Sequence, residues 1–216
     1  MDEFVRDPVG LGKTVILLIF IWLGADTIYG LASGYEAMLL GAGDVAGAMT
    51  ANDTAATDMV VGLIALVFVL VNIATIIMSA RWIYRVNKNA HSLSDAMTIT
   101  PGWNIGWFFI PVASLFKPFE GIRQTWQVSH DPDDPVSVPV PSWMRWWWGL
   151  WIIASILGNI SFRLSMSTNS VDAQIAAHAI DAISLLFDAP LAFLFARLIR
   201  TLSQAQSAAL NRQVFA

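Results

Sequence analysis

Two aspartates lie inside an apolar segment near the C-terminal end of the chain, where an ionised carboxylate is costly. Asp181 and Asp188 occur in "AIDAISLLFDAPLAFLFARLI", and in a helix their spacing places them on nearly the same face. A carboxylate at the centre of a membrane helix costs about 2.5–3.5 kcal/mol on insertion scales, so it should face protein and have a partner. The pair could relay protons or cations, form a structural contact between helices, or face a partner protein.

Possible partners for this pair are polar residues of the other apolar segments. Asn72 and Asn159 lie inside two such segments, and Arg163 follows the second of them. Interhelical hydrogen bonds in bilayers contribute only about 0.6 kcal/mol on average, so a structural role is consistent with the same residues. Asp26 and Tyr29, near the end of another apolar segment, are interpreted as a polar helix end.

Composition indicates that these segments lie in a membrane. The chain has 216 residues, 56% hydrophobic and 13% charged, with a mean hydropathy of +0.59. Soluble domains carry roughly 25% charge. A span needs about 20 apolar residues to cross about 30 Å of hydrocarbon. We expect an all-α membrane protein with four transmembrane helices in a single membrane domain, residues 1–216; the spans are residues 14–31, 59–80, 146–162 and 179–199.

The Lys and Arg residues predict how these spans are threaded. They concentrate in cytoplasmic loops of membrane proteins. Here they fall in the N-terminal tail, in residues 81–145 and at the C-terminal end, with Arg163 as the exception. This pattern predicts a multi-pass protein of the bacterial inner membrane with both termini cytoplasmic. A cleavable signal peptide ending near Gly30–Ala32 is the alternative, and it would leave three spans.

A Trp- and Pro-rich segment, "PGWNIGWFFIPVASLFKPFEGIRQTW", lies between two stretches predicted on the cytoplasmic side. Its apolar residues 103–116 would reach about 21 Å as a helix, which is too short to cross. Pro111 also removes a hydrogen bond from any helix there. We therefore expect an interfacial or re-entrant segment over residues 101–128 that includes an amphipathic surface helix at Pro118–Val128.

Tryptophans mark a candidate surface for lipid or a planar ligand. Indole rings favour the headgroup level of a bilayer, so an aromatic belt that fixes depth is one interpretation. A stacking site for a quinone or a lipid headgroup is the other. The residues concerned are Trp103, Trp107, Trp126, Trp143, Trp147 and Trp151.

Several kinds of chemistry have no support in the sequence. The chain has no cysteine, which excludes disulfides and thiolate metal sites. "GLGKT" lacks the first glycine of a phosphate-binding loop, and "DPDD" does not match a calcium loop. His91 and His130 lie outside the spans, so we predict neither a metal nor a cofactor. The expected partners are membrane lipids and a possible protein partner or second copy, with no nucleic acid because the basic residues are scattered.

The segment "RWIYRVNKNAHSL" followed by "PGWNIGWFFIPVASLFKPFEGIRQTWQVS" resembles the bacterial membrane proteins grouped as DUF4328, a domain of unknown function. The resemblance covers about residues 81–202, with Ser114 where the pattern has Asn. It implies a multi-span membrane domain with no established activity. The motif residues that carry it include Trp82, Arg85, Pro101, Gly102, Gly106, Pro111, Lys117 and Pro118.

Three function classes stay open from the sequence. The favoured one is a non-enzymatic accessory, scaffold, or lipid- or planar-ligand-binding module, because the tryptophans are many and no catalytic motif is present. The alternatives are a small proton- or cation-coupled transporter that uses Asp188 and Asp181, and a membrane enzyme.

Overall fold

The computed structural model describes residues 7–41, 51–166 and 170–214, and within these ranges the chain is helical and contains no strand. Short 3₁₀ turns at Trp107–Phe109, Ala113–Leu115 and Pro135–Ser137 interrupt the loops between helices. The helices are α1 (Val9–Gly41), α2 (Ala51–Leu93), α3 (Pro101–Gly106), α4 (Lys117–His130), α5 (Ser142–Ser165) and α6 (Val171–Val214).

Three helices in the described part of the chain are long and apolar enough to cross a membrane. They are α1, α2 from Met59 onward, and α6, and they contain the predicted spans 14–31, 59–80 and 179–199. Large apolar side chains such as Leu63 and Leu70 are exposed along α2. Such surfaces suit hydrocarbon rather than water. The fold is therefore that of an all-α membrane protein.

The fourth predicted span, residues 146–162, lies in α5. This helix has 24 residues and extends about 36 Å, so its length suffices for a crossing. Its most apolar membrane-length stretch is less hydrophobic than those of the other three, because tryptophans fill its first turns and Asn159 and serines its second half. The count of four spans stays a prediction.

The chain forms two compact units, each built from separated segments. Unit 1 comprises Met1–Leu18, Thr75–Trp148 and Leu194–Ala216, and unit 2 comprises Ile19–Ala74 and Gly149–Phe193. The chain changes unit inside each of the long helices α1, α2, α5 and α6. The organisation as a single membrane domain stays a prediction.

Local sequence explains the short elements of unit 1. Pro101 and Pro118 occupy the first turns of α3 and α4, where a missing N–H is tolerated. α4 contains the helix predicted at Pro118–Val128, and its apolar side, including Ile122 and Trp126, is buried. The polar residues on the other side keep α4 on the surface of its unit.

Candidate functional site

Unit 2 brings together polar residues from α1, α5 and α6 that the chain separates widely. On α1 they recur every three or four positions, which places them on one helix face. On α6 they are three and seven positions apart, which also places them on one helix face, opposite that of α1. We call this set the polar ladder; its members are Asp26, Tyr29, Ser33, Glu36, Ser161, His178, Asp181 and Asp188.

Asp181 is the hydrogen-bonding centre of the ladder. Its Oδ2 accepts a bond of 3.0 Å from the Tyr29 hydroxyl, and its Oδ1 accepts one of 2.5 Å from the Ser161 hydroxyl. Toward one end, His178 Nε2 lies 3.3 Å from Glu36 Oε2. Asp181 thus joins three helices, with a second acid–base contact beyond it.

Two other carboxyls of the ladder are buried more deeply. Asp26 and Asp188 are each 7% exposed. Asp26 Oδ2 has no hydrogen-bond partner among the described residues. Asp26, Asp181 and Asp188 all belong to unit 2.

Glycines on α1 let α6 approach this region closely. A Cβ at Gly30 would lie 2.9 Å from Leu185, and one at Gly34 would lie 3.4 Å from the Ala182 Cβ. Small residues at such contacts allow membrane helices to pack backbone to backbone. α1 and α6 therefore lie close together along the face that carries the polar ladder.

The structure places the other predicted polar candidates elsewhere. Asn159 is exposed, and its Nδ2 donates to the Ser155 carbonyl of its own helix at 2.8 Å. Arg163 is exposed at the end of α5, and Asn72 is half-buried on α2. Of the four residues predicted to form an intramembrane polar site, Asp181 and Asp188 belong to the polar ladder, and Asn72 and Asn159 do not.

Sequence reasoning assigned Asp26 and Tyr29 to a helix end and did not single out Ser161. A usable signal was present: the spacing of Asp26, Tyr29, Ser33 and Glu36 forms one polar stripe on an otherwise apolar helix.

Unit 1 contains a second buried polar network, built around Gln206 of α6. Gln206 Nε2 donates to the Val86 carbonyl at 2.8 Å and to Ser129 Oγ at 3.3 Å. Gln206 Oε1 accepts from Asn89 Nδ2 at 3.0 Å. These contacts join α2, α4 and α6 in the interior of the unit.

One of the family-like motif residues, Trp82, forms a buried contact across this unit. The fully buried Trp82 donates its indole N–H to Ser203 Oγ at 3.0 Å. Gly121 leaves room for the buried Asn104, since a Cβ built at Gly121 would overlap the Asn104 Oδ1 atom. Arg85 is half-buried and Pro118 is buried, whereas Lys117 is exposed.

The tryptophans predicted to form a surface differ in exposure, and some of them are buried. Trp126 and Trp147 are buried, the first packed edge-on against Trp143 and the second stacked on Phe195. The Arg197 guanidinium lies 4.6 Å from the Trp143 ring centroid, a cation–π contact. Trp103 is exposed and packs against Trp107 at 4.7 Å between centroids, and Trp151 is half-buried in unit 2.

Residues 107–116, here called the apolar tip, form an irregular turn with exposed apolar side chains. Phe109 is 78% exposed, Val112 72% and Phe116 66%. Val112 has φ 65° and ψ −52°, and Ala113 N–H donates to the Pro111 carbonyl at 2.7 Å, which defines a γ-turn. A positive φ is strained for a β-branched residue. The Trp148 indole fixes the tip to α5 by donating to the Leu115 carbonyl at 2.9 Å.

A polar cluster on α4 follows the apolar tip. Arg123 Nη2 donates to Glu120 Oε1 at 2.6 Å and Gln124 Nε2 to the same oxygen at 3.0 Å. Partial burial would raise the pKa of Glu120, but these two hydrogen bonds and the charges of Arg123 and Lys117 outweigh it and lower the pKa. The Glu120 carboxylate is therefore held ionised.

The helices and buried polar residues define an all-α membrane protein without a recognisable catalytic centre in the described residues. The DUF4328 profile, described as a domain of unknown function, matches residues 45–204, and the chain belongs to this family. Neither the curated proteins nor the solved structures gave a match. The matched range covers α2 to most of α6 and begins after α1.

Proposed function

We propose that the protein is a non-enzymatic membrane module that binds phospholipid at the cytoplasmic face of the bacterial inner membrane through its apolar tip. The observation that carries this proposal is the exposure of Phe109, Val112 and Phe116 on one short turn. Contiguous exposed apolar side chains mark interaction sites, and a bilayer accepts them without a matching protein surface.

The position of the apolar tip supports a bilayer as its occupant. Trp148, which bonds to the tip, lies at the beginning of the predicted span 146–162. The tip therefore belongs near the depth at which that helix enters the hydrocarbon. Lys117 and Arg145 are exposed beside the tip and the span in sequence, and cationic side chains there favour anionic headgroups.

The same charges support four spans with both termini cytoplasmic. Every Lys and Arg except Arg163 belongs to the segments of unit 1. Positive residues of short loops stay on the cytoplasmic side. Impermeant thiol labelling of single cysteines tests this threading: we expect Asp7→Cys and Ser137→Cys to react from one side and Ser165→Cys from the other.

Depth-dependent quenching tests lipid binding directly. Because the chain has no cysteine, a polarity-sensitive fluorophore can be attached at Phe109→Cys alone. We expect blue-shifted emission in lipid nanodiscs and stronger quenching by headgroup nitroxides than by nitroxides near the acyl chain ends. The matched control is Val136→Cys, since Val136 is 87% exposed and lies outside the apolar tip. Equal emission and equal quenching at both positions would contradict the proposal.

A second candidate function, proton- or cation-coupled transport, is favoured by a separate observation. Asp181 and Asp188 were candidates from the sequence, and Asp26 joins them inside unit 2. Ionisable residues at membrane depth are functional-site hypotheses by default. Ion flux into liposomes that contain the purified protein tests this candidate.

A further inference from the structure

The polar ladder has an excess of acidic groups. Its carboxyls are Asp26, Glu36, Asp181 and Asp188, and the titratable groups facing them are His178 and the Tyr29 phenol. The neighbouring side chains from α5 and α2 are Ser161 and Phe68, which carry no charge. Arg163 is the single Lys or Arg in the segments of unit 2, and it is exposed. The buried acids thus lack a basic residue that could neutralise them all.

An unmet polar atom in the ladder independently indicates a bound species. Asp26 is 7% exposed, and its Oδ2 has no hydrogen-bond partner among the described residues. The fully buried Ser33 lies one helical turn from Tyr29, and its side chain interacts with the Tyr29 phenol. An unsatisfied buried polar atom is costly, and a species bound there would relieve that cost.

The geometry favours a proton over a metal ion as that species. No group of three or more His, Cys, Asp or Glu side chains in the described ranges is arranged to hold a metal. A proton needs only one acceptor oxygen, and a buried carboxylate without a basic partner ionises reluctantly. We propose that one of the two buried carboxyls, Asp26 or Asp188, holds a bound proton, which exchanges along Asp181 and Tyr29 with the His178–Glu36 end of the ladder.

The transfer is balanced without a co-reactant. A proton that leaves His178 Nε2 breaks one N–H bond and forms one O–H bond on a carboxylate. The imidazole becomes neutral and one aspartate loses its negative charge. This inference deepens the second candidate function and is independent of lipid binding by the apolar tip.

Infrared spectroscopy in nanodiscs tests the proton site. We expect a protonated-carboxyl C=O band at neutral pH that shifts in D₂O and is lost in the Asp26→Asn, Asp188→Asn double variant. The matched control is Asp172→Asn, an exposed aspartate in the first turn of the same helix, which should leave the band unchanged. A wild-type protein without this band overturns the proposal whether or not the variants fold. A band that survives in a folded double variant also overturns it.

Two further measurements separate the proton site from transport. Sodium ions that abolish the band at constant pH would overturn the choice of a proton. If the band is present, proton flux into liposomes decides the second candidate function separately: we expect Asp181→Asn to retain the band and reduce flux at least tenfold. A band without flux in the wild type supports the proton site and excludes proton transport.

Discussion

Replacing Gln206 by Met should destabilise unit 1 without changing its side-chain volume much. Gln206 is fully buried and bonds to α2 through contacts of 2.8 and 3.0 Å and to α4 through a weaker one of 3.3 Å. Each buried neutral hydrogen bond contributes about 1 kcal/mol, and a polar partner left without its bond adds about 1 kcal/mol or more. The loss in free energy of unfolding should be about 3 kcal/mol.

The matched control is Gln204→Met, two positions away on the same helix and exposed. Both variants replace the same glutamine amide by the same thioether, so the difference between their free energies of unfolding isolates the contribution of the buried network. Denaturant unfolding followed by tryptophan emission measures the difference, because Trp82 and Trp126 lie in the same unit. Hydrogen exchange across Lys117–His130 should also accelerate in Gln206→Met. A difference below about 0.5 kcal/mol would refute this account, since exposed substitutions vary by that amount.

Three further predictions concern α4 and the turn that precedes it. Gly121→Ala should cost about 1–3 kcal/mol, because the new Cβ meets the buried Asn104, whereas Gly102→Ala, with open space around it, should be near neutral in the same thermal assay. Val112→Gly should raise or preserve stability in detergent, because it relieves backbone strain of about 1–3 kcal/mol. The greater conformational entropy that glycine loses on folding offsets part of this gain. The same variant should weaken quenching by lipid nitroxides at the tip, because it removes an apolar side chain. Glu120 has a lowered folded-state pKa, so its contribution is complete above its ordinary pKa of 4.5 and is lost as pH falls through the folded value. The melting temperature of the wild type should therefore fall toward that of Glu120→Gln in this acidic range, and equal pH dependence in both would contradict the assignment.

The apolar helices were predictable because their signal is local. Residues 59–80 are continuous in hydrophobicity, and α2 includes all of them. The amphipathic pattern of Pro118–Val128 likewise needs no knowledge of the rest of the chain, and α4 contains it. Length and period suffice for such elements.

The polar contacts were less predictable because they join distant positions. The Tyr29–Asp181 bond spans 152 residues, and the sequence alone offered Asn72 and Asn159 as equally suitable partners for the aspartates. The tryptophans were ambiguous for another reason. An indole can lie at a headgroup or inside a core, and Trp147 is buried while Trp103 is exposed.

The family match has different consequences for the two proposals. The apolar tip and the Gln206 network lie in α2 to α6 and their connections, while the match ends at residue 204, just before Gln206. Asp26, Tyr29, Ser33 and Glu36 all belong to α1, which precedes the matched range. Lipid binding by the tip can therefore be tested as a property of other members of the family. Proton binding requires α1 to supply half of the ladder, so family membership alone does not predict proton binding in other members. Each relative must first be shown to place acidic residues on a helix that faces its last helix.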